Sequence, residues 1–127
     1  MMPTDEQLTA AFDKGMREGP ENLVGPDRDY YLIQDFILEW ESGFLTGYLY
    51  NRIPDFASIR AAIDSMRRHG AVELGSILSQ ALELFEGYQE PDPPSTWEAT
   101  LRRYDPTGRL AELDRRIMNL QSYGMNR

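Results

Sequence analysis

The chain has 127 residues and a formal charge of −8, from 21 Asp+Glu against 13 Lys+Arg, with 41% hydrophobic residues and no cysteine. That length fits one domain and can bury a core without metals or disulfides. The hydrophobic share excludes a disordered acidic tail, and the missing cysteines exclude a disulfide scaffold, thiol catalysis and thiolate metal sites. The acidic balance argues against a direct grip on nucleic acid or on an anionic membrane surface, both of which require a basic footprint.

The N-terminus, from Met1 to Gln7, has neither the basic cluster nor the apolar core of a signal peptide. The longest uncharged stretch, Ser42 to Asn51, is too short to span a bilayer. A soluble cytoplasmic protein is expected.

Apolar periodicity predicts helices throughout. Thr4 with Gln7 matches a capping box, in which each side chain satisfies a free backbone donor. It starts a helix carrying Leu8, Ala11, Phe12 and Met16, which ends near Gly19-Pro20 because proline lacks the donor. Residues 19–26 read as a loop, with Asp27 as the N-cap of the next helix. Tyr30, Leu32, Ile33, Phe36, Ile37 and Trp40 give that helix a wide apolar stripe, with Arg28, Asp35, Glu39 and Ser42 opposite. Gly43 is expected to interrupt it. Residues 43–51 then form a short buried helix, with strand as the competing reading.

Pro54-Asp55 marks a fresh start, followed by Phe56, Ile59, Ala62, Ile63 and Met66 at helical spacing. Arg67, Arg68 and His69 fall in the last turn, where positive charge complements the helix dipole, and Gly70 supplies a left-handed stop. Residues 71–85 form the partner helix of an antiparallel pair. Residues 87–94 are a loop, Ser95 or Thr96 caps a helix with Trp97, Leu101 and Tyr104, and residues 105–108 make a turn. The last helix carries Leu110, Leu113, Ile117 and Leu120, and residues 124–127 are expected to fray. The prediction is an all-α fold, a single compact domain of about six or seven helices over residues 1–127, with residues 1–26 an N-terminal helix and loop.

Charge is unevenly placed. Residues 1–51 carry a net −7, 52–70 a net +2, 71–98 a net −6 and 99–127 a net +3. One interpretation is internal pairing plus a solvated face. Arginine supplies 12 of the 13 basic residues and suits planar, partly buried pairing with carboxylates, so some acids are expected to be neutralised internally. The other interpretation is an acidic surface for a basic partner. Carboxylates one helical turn apart stand about 5–6 Å from each other, a spacing comparable in scale to successive nucleic-acid phosphates. Asp35 and Glu39, and the series Glu83, Glu86 and Glu90, have this spacing or close to it.

No motif spells out a reaction. His69 is the single histidine, so no His-rich metal site and no His-Glu-x-x-His pattern exists. Neither a phosphate-cradling glycine loop nor a calcium-loop spacing is present. No metal and no cofactor is expected. Gly43-x-x-x-Gly47 has the small-residue spacing of close helix packing. Paired carboxylates leave a small hydrolase or metal-dependent enzyme as the alternative class.

The segment Glu41-Ser42-Gly43-Phe44, with Tyr48 and Asn51, resembles the Asn-Gly-Gly-Phe segment of the DNA-mimic protein nineteen-like family of bacterial helical domains of unknown function. Ala61-Ala62-Ile63 through His69-Gly70-Ala71, then Ile77-Leu78, Ala81-Leu82 and Leu84-Phe85, is similar to its helix, Gly-Ala turn and following helix. Leu113-Asp114 with Ile117 resembles its C-terminal Leu-Asp helix. The resemblance covers about residues 28–120. Glu41 and Ser42 stand where the family usually has Asn and Gly, and the spacing from Phe44 to Asn51 is one residue longer than usual. On their own, Gly43, Phe44, Tyr48 and Asn51 read as shaping a buried bend between helices.

The resemblance implies an all-α, non-enzymatic acidic binder. The family's characterised member is a dimer that occupies the DNA-binding surface of a transcription factor. The expectation is therefore a protein-binding domain, a DNA mimic for a basic regulator, with a homodimer implied. Asp35, Glu39, Glu41, Glu83, Glu86 and Glu90 are the candidate partner-binding residues. An immunity-type protein that neutralises a toxin shares the same physics with a different partner.

Overall fold

The computed structural model describes residues 3–124. Six α-helices follow in order: α1 (Asp5–Glu18), α2 (Gly25–Arg52), α3 (Phe56–Arg68), α4 (Val72–Glu83), α5 (Trp97–Tyr104) and α6 (Arg109–Met118). Short 3-10 turns occupy Pro20–Asn22 and Gln121–Gly124. The described residues contain no strand, so the competing strand reading of 43–51 is overturned; the segment lies within α2. The frayed tail expected for 124–127 falls mostly outside the described residues, and Gly124 belongs to the last 3-10 turn.

The ends of the helices follow local chemistry. Thr4 and Gln7 form the capping box of α1 in both directions. Asp55 and Thr96 cap α3 and α5 by accepting the N–H of Ser58 and of Ala99. Gly70, at φ 86°, carries the left-handed turn between α3 and α4 that a β-carbon would resist. Asp105 accepts the N–H groups of both Arg109 and Leu110 at the start of α6.

Three boundaries differ from the sequence expectation. Asp27 is not the N-cap of α2; the helix begins three residues earlier, at Gly25 behind Val24, with Pro26 in its first turn, where a fixed φ and a missing donor cost nothing. Asp27 instead accepts a hydrogen bond from Lys14 Nζ at 2.9 Å, tying α1 to α2. Helix α4 ends at Glu83 rather than Phe85, because the N–H groups of Leu84 and Phe85 turn back to carbonyls three residues earlier. The interruption of α2 falls at Phe44 (φ 60°, ψ −165°), not Gly43.

That interruption is a sharp fold. An unbroken helix would separate Asp35 from Arg52 by about 25 Å, at 1.5 Å per residue, yet the two form an ion pair. The Phe36 and Tyr48 rings, which an unbroken helix would hold about 18 Å apart, meet at 4.8 Å. Residues 25–43 and 45–52 are thus two helical arms folded against each other, so the described residues hold six helices with α2 taken as one and seven with its arms counted separately. Helices α1, α3 and α6 pack on α2, and α4 joins α3 to α6. Leu8, Ile33, Phe36, Leu45, Ile59, Leu74 and Leu113 lie at the centre of the core, each fully buried. Met16, placed on the apolar side of α1 by sequence, is 66% exposed. Helix α5 is fastened by aromatic rings, with Phe85 stacked on both Trp97 and Tyr104.

Candidate functional site

The candidate acids fall into two groups. Asp35 and Glu39 lie on the inner side of the α2 fold, where the Arg52 guanidinium bonds Asp35 and stands 3.1 Å from Glu39 Oε1. Their side chains retain only 20% and 26% exposure. The expectation that they face outward, opposite the apolar stripe, is corrected: the fold at Phe44 swings Arg52 onto them. Burial raises the Glu39 carboxyl above its ordinary range and Asp35 adds to the rise, with Arg52 opposing both. Glu39 Oε2 is buried with no hydrogen-bond partner. The Arg52 guanidinium also lies 5.0 Å over the Tyr48 ring, and burial drives the Tyr48 phenol above its usual value.

Glu41, Glu83, Glu86 and Glu90 are exposed. Glu41 accepts a hydrogen bond from the Tyr123 hydroxyl at 2.6 Å. Glu83, Glu86 and Glu90 make no ion pair among the described residues, which is consistent with the absence of any Lys or Arg in 71–98. Glu83 and Glu86 border a groove with Phe56, Arg60, Leu82 and Tyr88, without forming an ion pair to Arg60. Glu90 borders a second groove on the other side of Tyr88.

The family-like segment is placed differently from the buried bend expected. Only Tyr48 is buried; Phe44 is 47% exposed, and Asn51 is exposed. Gly43 and Gly47 are not a close-packing pair, since a β-carbon on either would meet nothing within 4 Å. They line an open cleft with Asp35, Glu39 and Asn51. Close approach occurs instead at Gly15, where a β-carbon would stand 2.4 Å from the Tyr31 ring. Gly70 and Ala71 carry the expected turn, with Ala71 fully buried as the N-cap of α4.

Sequence reasoning missed the role of Asp114. It is 8% exposed on α6 and accepts both the Trp40 indole N–H at 2.9 Å and the Leu45 backbone N–H at 3.0 Å. A signal was present: Asp114 falls on the Leu110, Leu113, Ile117 face, and a carboxylate on a buried face needs donors. Asp29 also acquires a role. It accepts hydrogen bonds from Ser65, at 2.9 Å, and Arg68, and pairs with His69 Nε2 at 2.8 Å, joining α2 to the end of α3. Asp29 is thus the carboxylate beside the chain's single histidine.

Among the described residues no group of three or more His, Asp and Glu could hold a metal ion, and no helix is long and apolar enough to cross a membrane.

The DMP19-like protein family model matches residues 21–125. The chain belongs to the DMP19-like protein family. Among curated proteins and among solved structures, no match to the chain is found. Within this DMP19-like chain, the Leu-Asp pair of α6 supports the break of α2 by hydrogen bonds, and the segment around Phe44 forms that break.

Proposed function

We propose that this DMP19-like protein is a non-enzymatic acidic binding domain whose partner presents a basic surface, and that Glu83, Glu86 and Glu90 supply the contact carboxylates. The observation that carries this reading is their exposure without an ion pair among the described residues, on a segment of net charge −6. Asp35 and Glu39 drop out of the contact set because both are engaged by Arg52 and largely withdrawn from solvent. The partner class that best fits is a DNA-binding regulator whose phosphate-contacting surface meets these carboxylates in place of DNA. An immunity-type partner would use the same charges, and the genes beside this one distinguish the two.

The test is affinity capture from the native cell at low and high salt, comparing the natural chain with Glu83→Lys/Glu86→Lys. The expected partner is a DNA-binding protein that is released by salt, displaced by duplex DNA and lost with the charge reversal, since attraction between exposed charges is screened by ions. Salt-independent capture, unaffected by the double substitution, overturns the reading.

One observation favours a carboxylate-dependent hydrolase: Glu39, with its raised carboxyl and unpartnered Oε2, opens on the cleft beside Gly43 and Gly47. That reading requires Arg52 to leave the two acids when substrate enters. Hydrolysis in a broad ester and phosphoester panel, abolished by Glu39→Gln, would establish it; no turnover in that panel counts against it.

A further inference from the structure

We propose that the groove between the second arm of α2, the loop after α4 and the start of α5 is a binding site for a guanidinium group, in which Tyr50, Tyr88 and Trp97 supply ring faces and Glu90 the counter-charge. This deepens the reading above, on which it rests: the occupant is an arginine side chain of the basic partner.

The groove is about 320 Å³, and Tyr50, Tyr88, Glu90, Pro94 and Trp97 are among its walls. Its aromatic walls are built in advance. Trp97 stacks on Phe85, with ring centroids 6.0 Å apart and planes 3° from parallel. Tyr88 is wedged between Phe56, at 5.7 Å, and Tyr104, at 5.3 Å. The Tyr104 hydroxyl accepts the Gln89 N–H, which fixes the backbone between Tyr88 and Glu90. Tyr50 leans on Trp97 at 5.5 Å with the planes 59° apart, yet remains 61% exposed. An aromatic ring held against a second ring, but left largely in water, contributes little to the core. A ligand that covers it would explain its placement.

Charge selects the kind of ligand. Ring faces carry negative electrostatic potential and attract cations within about 6 Å. The described residues lining the groove include one carboxylate, Glu90, and no Lys, Arg or His. The Tyr88 phenol is pushed up first by burial and then by Glu90, consistent with a carboxylate close to that ring. Elsewhere the chain meets such rings with its own arginines, Arg52 over Tyr48 and Arg103 over Tyr104. Among the described residues no cation lies over Tyr50, Tyr88 or Trp97, so this position is open to an external one. A guanidinium fits better than an ammonium because it is planar, stacks on rings, is weakly hydrated, and still presents N–H donors to a carboxylate.

The site can be tested without the partner. The Trp97 indole N–H is followed by nuclear magnetic resonance, assigned with Trp97→Phe, while the full chain is titrated with acetyl-arginine amide, acetyl-lysine amide or the neutral isostere acetyl-citrulline amide. Arginine is expected to shift Trp97 saturably, with citrulline weaker by about tenfold and lysine by about threefold. Tyr50→Ala and Glu90→Gln should each weaken arginine binding about fivefold while leaving the melting temperature unchanged, as both positions are exposed. Equal response to arginine and citrulline, equal affinity for lysine, no response at Trp97, or binding indifferent to both substitutions overturns the proposal. Capture that is salt-sensitive and lost in the Glu83/Glu86 variant, with no arginine binding here, overturns this site alone. Arginine binding with no salt-sensitive partner overturns the broader reading instead.

Discussion

The Asp114 carboxylate accepts the Leu45 backbone N–H at 3.0 Å, joining α6 to the break in α2 across 69 residues of sequence. Leu45 begins the second arm of α2, and the first N–H groups of any helix lack partners within it. Asp114 therefore caps the second arm from another helix, and the same oxygen also holds the Trp40 indole on the first arm. Both arms of the fold are thus tied to one buried carboxylate. Asp114→Ala leaves two buried donors unsatisfied, at about 1–3 kcal/mol each, so a loss of about 3 kcal/mol in urea unfolding is expected. Asp114→Asn retains an acceptor and should lose about half as much. Equal stability of Asp114→Ala and the natural chain would show that the contact does not hold the fold together.

Phe44 occupies a backbone region that is almost exclusively glycine's, at φ 60° and ψ −165°, and such a conformation costs about 1–3 kcal/mol. Its ring touches Trp40 edge-on at 5.5 Å but is 47% exposed, so packing returns only part of that cost. In an ordinary helix glycine is about 1 kcal/mol worse than alanine. Here the order should invert: Phe44→Gly is expected to be more stable than Phe44→Ala by about 1–2 kcal/mol, measured by urea unfolding of both variants. Alanine equal to or better than glycine would rule out the strained backbone.

These two residues show where sequence stops being informative. Helix content, the caps at Thr4 and Thr96 and the glycine turn were legible because each depends on neighbours within four positions: Thr4 with Gln7, Thr96 with Ala99, Gly70 with its own φ. The fate of a carboxylate depends on where a distant cation lands. Asp35 and Glu39 looked as free as Glu83 and Glu86 until the break at Phe44 brought Arg52 onto them. The break was visible at Gly43 only to within one residue, because the carboxylate that caps its second arm, Asp114, lies on another helix. Residues 71–98 contain no base, so a cation for Glu83, Glu86 or Glu90 would have to come from another segment, and only the fold shows that Arg60 borders the groove of Glu83 and Glu86 without pairing to them. The ring-lined groove at Tyr50 and Trp97 had no local signature, since its walls come from three separate elements.

Two of the helical glycines, Gly15 and Gly47, should respond in opposite directions to the same added methyl group. At Gly15 a β-carbon meets the Tyr31 ring at 2.4 Å, and Tyr31 is stacked on Phe12, at 5.1 Å, which limits its retreat. Gly15→Ala is expected to destabilise by about 1–3 kcal/mol through overpacking. At Gly47 the methyl enters open space, so Gly47→Ala gains helix propensity and should stabilise by about 0.5–1 kcal/mol. Thermal unfolding of the two single variants gives the comparison; a shift in the same direction for both would contradict the packing described.

Asp29 should make the fold acid-sensitive in a narrow range. Burial favours its neutral form, but hydrogen bonds from Arg68, His69 and Ser65 favour the carboxylate more, and lower its pKa from 3.8 to about 2. The folded state therefore holds this proton less tightly than the unfolded chain does. The stabilisation is fully present above about pH 4 and is lost as the pH falls toward about 2. With the Arg68 side chain 57% exposed and its attraction screened, the contribution is about 1–2 kcal/mol. Urea unfolding of the natural chain and of Asp29→Asn between pH 5 and pH 2 measures it: the natural chain should be the more stable at pH 5, and the gap should narrow by about 1 kcal/mol or more by pH 2. A gap that stays constant over that range would mean that Asp29 contributes through packing rather than through charge.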